Sequence, residues 1–409
     1  MAGLKSLAGL RVLDFSKVLA GPLCAQYLGD MGADVIKMEP ADAGDDTRRY
    51  PPFHRQDDDA DGTVFLSVNR NKRSLALDLK TDAGRAICHR LAMSADVVIE
   101  SYGPGVAERL GLDHTTLIAL NPRLIHCSIS GYGSTGPMKE GKGYDAVLQA
   151  FSGMISITGE RGGDAVRSPF SPVDQGTGLH ALVGIFAGLL ERSHTGRGMR
   201  VEANLFDTSV GFLGYILQGY WKDGREPERP GSSHDSLCPY QVFSTRDKPM
   251  LLGVANDALW RKFCVVAQAT DLAGDPRFAT NALRVTHRQE TVSAVAAVLS
   301  QRDRDDWIAA LSAAGIPGSP VNTLGEMVAH PHTTASGIVQ RYEHPAYGVL
   351  NAVAQPVKFD GARAEVGRAP PLLGQHTLEI LLEAGYSRAE LDSFIAAKVI
   401  YASTSKSTT

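Results

Sequence analysis

The sequence predicts an α/β protein, with a large domain on a parallel, doubly wound sheet and a smaller α/β domain after it. Two observations carry this. Short apolar, β-branched runs alternate with helix-period segments through the first half of the chain, the pattern of strands joined by helical crossovers. After residue 221 the composition turns to charge, Pro, Gly and Ser, and apolar patterning then resumes, which marks a second folding unit.

The elements follow in order. Residues 10–15 read as the first strand, which breaks toward Gly21-Pro22. A helical pattern runs through Tyr27 and Leu28 to Met31, and residues 33–38 form a second strand. Residues 74–79 alternate apolar and polar as a third. Residues 81–93 have helical spacing, with Thr81 or Asp82 as N-cap. Strands at 95–100 and 124–130 come next, then helices at 143–157 and 176–192. The second helix is broadly apolar and is therefore expected to be buried; the run His194 to Gly198 stops it. Residues 199–204 form a strand and an apolar helix continues to Tyr220. The domain plan is residues 1–221 for the first part of the large domain and 222–239 for a linker and candidate lid. A small domain takes 240–325, and residues 326–400 return to complete the large one before a polar tail at 401–409. In such a sheet the ligand crevice lies beyond the carboxyl ends of the strands.

Bulk properties exclude several functions. The 409 residues carry a net charge of −4 with no basic block, which argues against a nucleic-acid groove. Five cysteines, odd in number and never paired as C-x-x-C, suit a reduced, cytoplasmic protein without a zinc site. Residues 1–10 lack the pattern of a leader, and no apolar stretch of about 18 residues escapes charge or turn residues, so no membrane span is expected. No G-x-G-x-x-G follows the first strand, where Gly21-Pro-Leu-Cys24 stands instead, and neither a P-loop nor a G-x-S-x-G run occurs. His330 and His332 read as a surface turn, and the acidic run 57–61 as a solvated loop.

Two features keep a chemical reading open. The cluster Asn71-Lys72-Arg73-Ser74 offers donors to a polyanion such as a phosphate group, and Arg109, after the turn Tyr102–Gly105, could join it; both also read as solvated surface. Asp174 stands at the entry to the apolar helix. It is either the helix N-cap or a carboxylate kept ionised by the helix dipole and open to attack a thioester, with Gly176 and Gly178 leaving room for a bulky group.

Together these runs resemble the family III coenzyme A transferases, which also include α-methylacyl-CoA racemases. The opening Leu7–Phe15, Ala20-Gly-Pro22, Gly32–Glu39, Asn71–Ser74 with Leu77–Lys80, Ala95–Glu100 and Tyr102–Gly105 carry the resemblance. So do Arg109-Leu-Gly111, Gly131-Tyr-Gly133, Gly143-Tyr-Asp145, Asp174 with Thr177-Gly178, His194–Gly198, Pro239-Tyr-Gln241, Asp275–Phe278, Gly315-Ile-Pro317 and Leu373–Thr377. The resemblance implies a Rossmann-like large domain, a smaller domain and an interlocked homodimer. It implies Asp174 as nucleophile and coenzyme A contacts at Lys17, Val18, Leu77, Lys80, Tyr102, Arg109 and Lys142, with Lys72 and Arg73 beside them and Tyr144 and Asp145 in the site. Coenzyme A would be a cosubstrate, with no permanently bound cofactor or metal. Tyr144 replaces the racemases' histidine and is a poor proton acceptor at neutral pH, which weighs against epimerisation. Leu19 replaces the glutamine of formyl-transferring relatives, and Gly231-Ser-Ser-His-Asp235 replaces their glycine run, which weighs against formyl-CoA and oxalate. The implied activity is transfer from an acyl-CoA such as succinyl-CoA to a small dicarboxylic acid such as glutarate, malate, itaconate or mesaconate. A non-catalytic coenzyme A binding protein is the alternative from another class.

Overall fold

Every apolar run read as a strand in the first half of the chain enters one seven-stranded sheet. Its strands are β1 (Arg11–Asp14), β2 (Asp34–Pro40), β3 (Lys72–Leu77), β4 (Val97–Glu100), β5 (Ile125–Ser130), β6 (Met199–Asn204) and the C-terminal pair Ile400–Tyr401. This is a computed structural model that describes residues 5–55 and 60–403. Across the sheet the order is C-terminal strand, β3, β2, β1, β4, β5, β6. All neighbours are parallel except the C-terminal strand, which runs antiparallel to β3. The chain winds outward from β1 in both directions, so a crevice opens between the carboxyl ends of β1 and β4.

The helices that shape this crevice are α1 (Ala20–Asp30), α2 (Asp145–Phe151), α3 (Pro172–Thr195) and α4 (Leu205–Phe212). One face of the sheet buries Leu13, Ile36, Leu75 and Val98 against Ile87 and Leu91 of the helix Asp82–Ala92. Ile380, Leu381 and Leu391, from the two C-terminal helices, fill the same core. Thr81 caps Asp82–Ala92 by accepting from the Gly84 N–H.

The chain divides into two units. One takes Met1–Ser152, Ser168–Leu217 and His332–Thr409; the other takes Gly153–Arg167 and Gln218–Pro331. Gly153–Arg167 therefore lies outside the large unit in which the sequence plan placed it. The expected helix at 143–157 breaks after Phe151, at Gly153 with φ +93, and only the 3-10 turn Ile155–Ile157 follows. The helix expected to reach Tyr220 is likewise two, Leu205–Phe212 and Gly214–Asp223.

The second unit packs Phe243, Met250, Trp260, Phe263, Trp307 and Leu311 behind a three-stranded antiparallel sheet. The stretch read as a lid is pinned there. Arg288 donates to the carbonyls of His234, Asp235 and Leu237, Arg284 to that of Cys238, and Asn281 to that of Ser236. Of the sequence features named above, residues 1–4, 57–59 and 404–409 lie outside the described residues.

Candidate active site

A cleft of about 540 Å³ lies over the carboxyl ends of β1, β4 and β5. Its floor is the loop after β1 (Lys17 to Gly21) and the turn after β4 (Glu100 to Gly105). The loop between β5 and α2 covers it with Gly131, Ser134 and Lys139 to Tyr144, and Asp174 enters from the start of α3.

Buried charge fixes the loop after β1. Lys72 Nζ donates to Asp14 Oδ2 at 2.8 Å, to the Pro22 carbonyl at 2.9 Å and to Asn69 Oδ1 at 2.8 Å. Lys37 Nζ reaches the Ser16 carbonyl at 3.0 Å and Asp45 Oδ2 at 2.9 Å. Asp14 accepts from the Ser16 N–H and hydroxyl, and Asp45 from the Val18 N–H. Burial works against charge on Asp45, but Lys37 and the Thr47 N–H hold its carboxyl at about 2. Burial lowers the Lys72 ammonium to about 8 despite Asp14 beside it. This frame holds Val18 at φ +70, a conformation a β-branched residue adopts only when its surroundings impose it.

Asp174 sits in the first turn of α3, three residues past Ser171, and is not the N-cap. Ser171 takes that place with φ +51 and no side-chain cap bond. Asp145 supplies the cap from α2: its Oδ2 accepts from the N–H of Val173 at 2.8 Å and of Asp174 at 3.0 Å. No donor among the described residues reaches the Asp174 carboxylate. Burial, together with the Asp145 charge, pushes its pKa up to about 7, so the expectation that the helix dipole keeps it firmly ionised does not hold.

The small residues of α3 serve packing. A Cβ on Gly178 would lie 2.5 Å from the Ala20 carbonyl oxygen, and one on Gly176 would lie 2.3 Å from the Phe212 ring. They let α3 press onto α1 and α4 and do not clear space for a ligand. The contact brings two helix starts to one place. Ala20 and Gly21, at the start of α1, line the cleft and their N–H groups meet no acceptor among the described residues.

The structure sorts the sequence-predicted residues into three groups. Lys17, Val18, Tyr102, Lys142, Tyr144 and Asp174 line the cleft. Arg109 is exposed on the short helix Val106–Leu110 beside Gly105, a cleft residue, and Asp145 is buried behind Asp174. Lys72, Arg73 and Leu77 are corrected: all three lie inside the sheet. Strand β3 starts two residues earlier than expected because these cations meet carboxylates of the fold itself: buried Asp14 for Lys72, and half-buried Asp34 with the more exposed Glu379 and Glu383 for Arg73. The Leu77 side chain is spent in the core, and Lys80 is exposed away from the cleft. Arg48, buried after β2, is likewise saturated by Glu39, Asp61 and the Pro371 carbonyl.

Sequence reasoning missed Glu100, Lys139, Arg200 and Glu202, all on the cleft. Arg200 and Glu202 alternate along β6 and pair at 3.2 Å. Glu202 also accepts from the N–H of Ser134 at 2.6 Å and its hydroxyl at 2.9 Å, which anchors the covering loop. Charged residues at every second position of a strand were the available signal. Glu100 accepts from the Tyr102 N–H at 2.8 Å and burial raises its carboxyl.

Known proteins share this architecture. A model of the CoA-transferase family III matches residues 7–377. The chain is 38% identical over 399 residues to succinyl-CoA:glutarate CoA-transferase of Mus musculus, covering 97% of this chain and 91% of that one. It is 36% identical over 380 residues to succinate–glutarate CoA-transferase of Agrobacterium fabrum, covering 92% and 95%. Among solved structures, a CAIB/BAIF family protein from Brucella suis superposes with a TM-score of 0.85 at 35% identity, over 93% of this chain and 100% of that one.

Proposed function

The chain belongs to CoA-transferase family III, and we propose that it moves coenzyme A from succinyl-CoA to a small dicarboxylic acid, glutarate foremost, by way of Asp174. One observation carries the reading: a carboxylate that no donor among the described residues reaches stands in the cleft beside the open start of α1. The relatives' names support the choice of acids.

Transfer between carboxylates needs a covalent relay, because coenzyme A must be held while one acid leaves and another enters. Asp174 attacks the acyl thioester carbonyl. The C–S bond breaks, giving an aspartyl anhydride and coenzyme A thiolate. The thiolate attacks the Asp174 carbonyl, releases the donor acid and leaves an aspartyl thioester. The acceptor carboxylate attacks that thioester and frees the thiolate again. The thiolate then takes the acceptor's acyl carbon, and Asp174 returns as a carboxylate. Lys17, Lys139, Lys142 and Arg200 line the cleft as partners for the phosphates that keep each step intramolecular, with Tyr102 and Arg109 beside the turn after β4. The first N–H groups of α3 are spent on Asp145, so oxyanion stabilisation falls to the N–H groups of Ala20 and Gly21.

The assembly we propose is a homodimer in the cytoplasm. Leu179, Val183 and Leu190 form one exposed stripe of α3, and Phe170 and Tyr215 are exposed as well. A second copy of this chain is the partner that fits an apolar surface of that extent. By length and composition α3 is also the one helix among the described residues that could cross a membrane; it packs on α1, β5 and β6.

Asp174→Ala is the direct test. Transfer from succinyl-CoA should be lost while coenzyme A still binds by calorimetry, and wild-type protein given succinyl-CoA and hydroxylamine should gain a modification on Asp174. Turnover by the folded variant refutes the mechanism; a panel of acceptor acids then fixes the substrate.

A further inference from the structure

The turn that bears Asp174 has no side-chain N-cap of its own among the described residues. Its N-cap residue makes no side-chain bond, and its free N–H groups lean on a single carboxylate from another helix, Asp145. Asp145 would itself be free to rotate about its side-chain torsions were it not held. Gln149, one turn further along α2 and 1% exposed, provides that hold. Its Nε2 donates to Asp145 Oδ1, leaving Oδ2 to serve α3. The same Nε2 lies 3.2 Å from the Ser168 carbonyl, and Oε1 accepts from the Ser168 N–H at 2.8 Å. One buried amide therefore ties together the carboxylate that caps α3 and the strand of chain that leads into α3. An amide left unpaired at this depth costs stability, so its bonds to Asp145 and Ser168 hold it in one place.

We propose that Gln149 is a positioning residue for the transfer reaction: by locking Asp145 against the start of α3 and pinning Ser168, it fixes the place from which the Asp174 carboxylate attacks. The inference rests on the reading of Asp174 as nucleophile. Its weight comes from the steep dependence of covalent catalysis on alignment, where a displacement of about 1 Å costs about 100-fold. Ground-state affinity for coenzyme A depends on cleft contacts that Gln149 does not touch.

The test is Gln149→Leu in the full-length enzyme, with succinyl-CoA and glutarate as probes. Expected is a fall in kcat of about tenfold or more, with KM for succinyl-CoA changed less than about threefold, and slower labelling of Asp174 in hydroxylamine trapping. Gln149 acts through Asp145, so Asp145→Ala with Gln149→Leu should be no slower than Asp145→Ala alone. If Asp145→Ala does not fold, Asp145→Asn takes its place in the cycle. Unchanged kcat in folded Gln149→Leu, or a loss that adds in full to that of the Asp145 variant, overturns the proposal. Asp174→Ala run alongside separates the two claims. A dead Asp174→Ala with a fully active Gln149→Leu refutes only the role of Gln149, whereas an active Asp174→Ala refutes the nucleophile itself.

Discussion

The Asp174 carboxylate meets two opposed demands. Attack needs the ionised form, yet burial and the Asp145 charge lift its pKa to about 7. A weakly solvated carboxylate is the stronger nucleophile once formed, so the raised value is consistent with the role. For the free enzyme, kcat/KM for acyl-CoA should fall about tenfold per pH unit below about 7 and level off above it, measured as a pH–rate profile. In the linkage sense, the folded chain holds this proton more tightly than the unfolded chain with its value of 3.8. The group therefore favours the fold most at pH below 3.8, and that contribution is lost as pH rises through about 7. Lys72 shows how a residue type can mislead. A lysine beside an arginine reads as a phosphate ligand, but this one neutralises Asp14 under the loop after β1. Lys72→Met should lower unfolding stability by about 3–5 kcal/mol in urea titrations, and removing Asp14 as well should recover part of the loss, because the damage lies in the stranded charge.

Among the elements, α3 and α1 matter as a pair. Their starts converge because Gly178 lets the two backbones touch at Ala20. A methyl at that place has no room and must push α3 away, carrying Asp174 with it. Gly178→Ala should cost about 1–3 kcal/mol in stability and lower kcat, measured by thermal melting and steady-state rates on the same preparation. The apolar helix was legible from the sequence over residues 176–192, since its helical spacing needs no partner to be recognised, and the structure extends it to Pro172–Thr195. Its burial was not: Leu179, Val183 and Leu190 are apolar yet exposed, since the chain by itself covers only part of the helix. The starting residue was also missed, because Pro172 is welcome at the first position of a helix and α3 begins there, ahead of Asp174.

For the whole molecule, the exposed apolar stripe sets a test of assembly. Light scattering should give twice the chain mass of 43.7 kDa, and Val183→Glu should lower it by placing charge in the apolar face. The return of the chain at its C-terminus is the feature that joins distant sequence at this scale. Ile400 pairs with Leu77 at the sheet edge, and Ile380, Leu381 and Leu391 complete a core begun by the first strands.

The sequence by itself determined the parallel sheet, its strand order in the chain and the position of Asp174 at a helix entry. Each of these is written in local periodicity and turn chemistry, which a short window of residues carries. Tertiary structure alone decided which charges face the ligand and which face each other. Lys72 with Asp14 and Asp145 with the start of α3 are separated by 58 and 28 positions at their closest. No local pattern encodes such a meeting, because the energy of a buried charge is set by what the fold brings beside it.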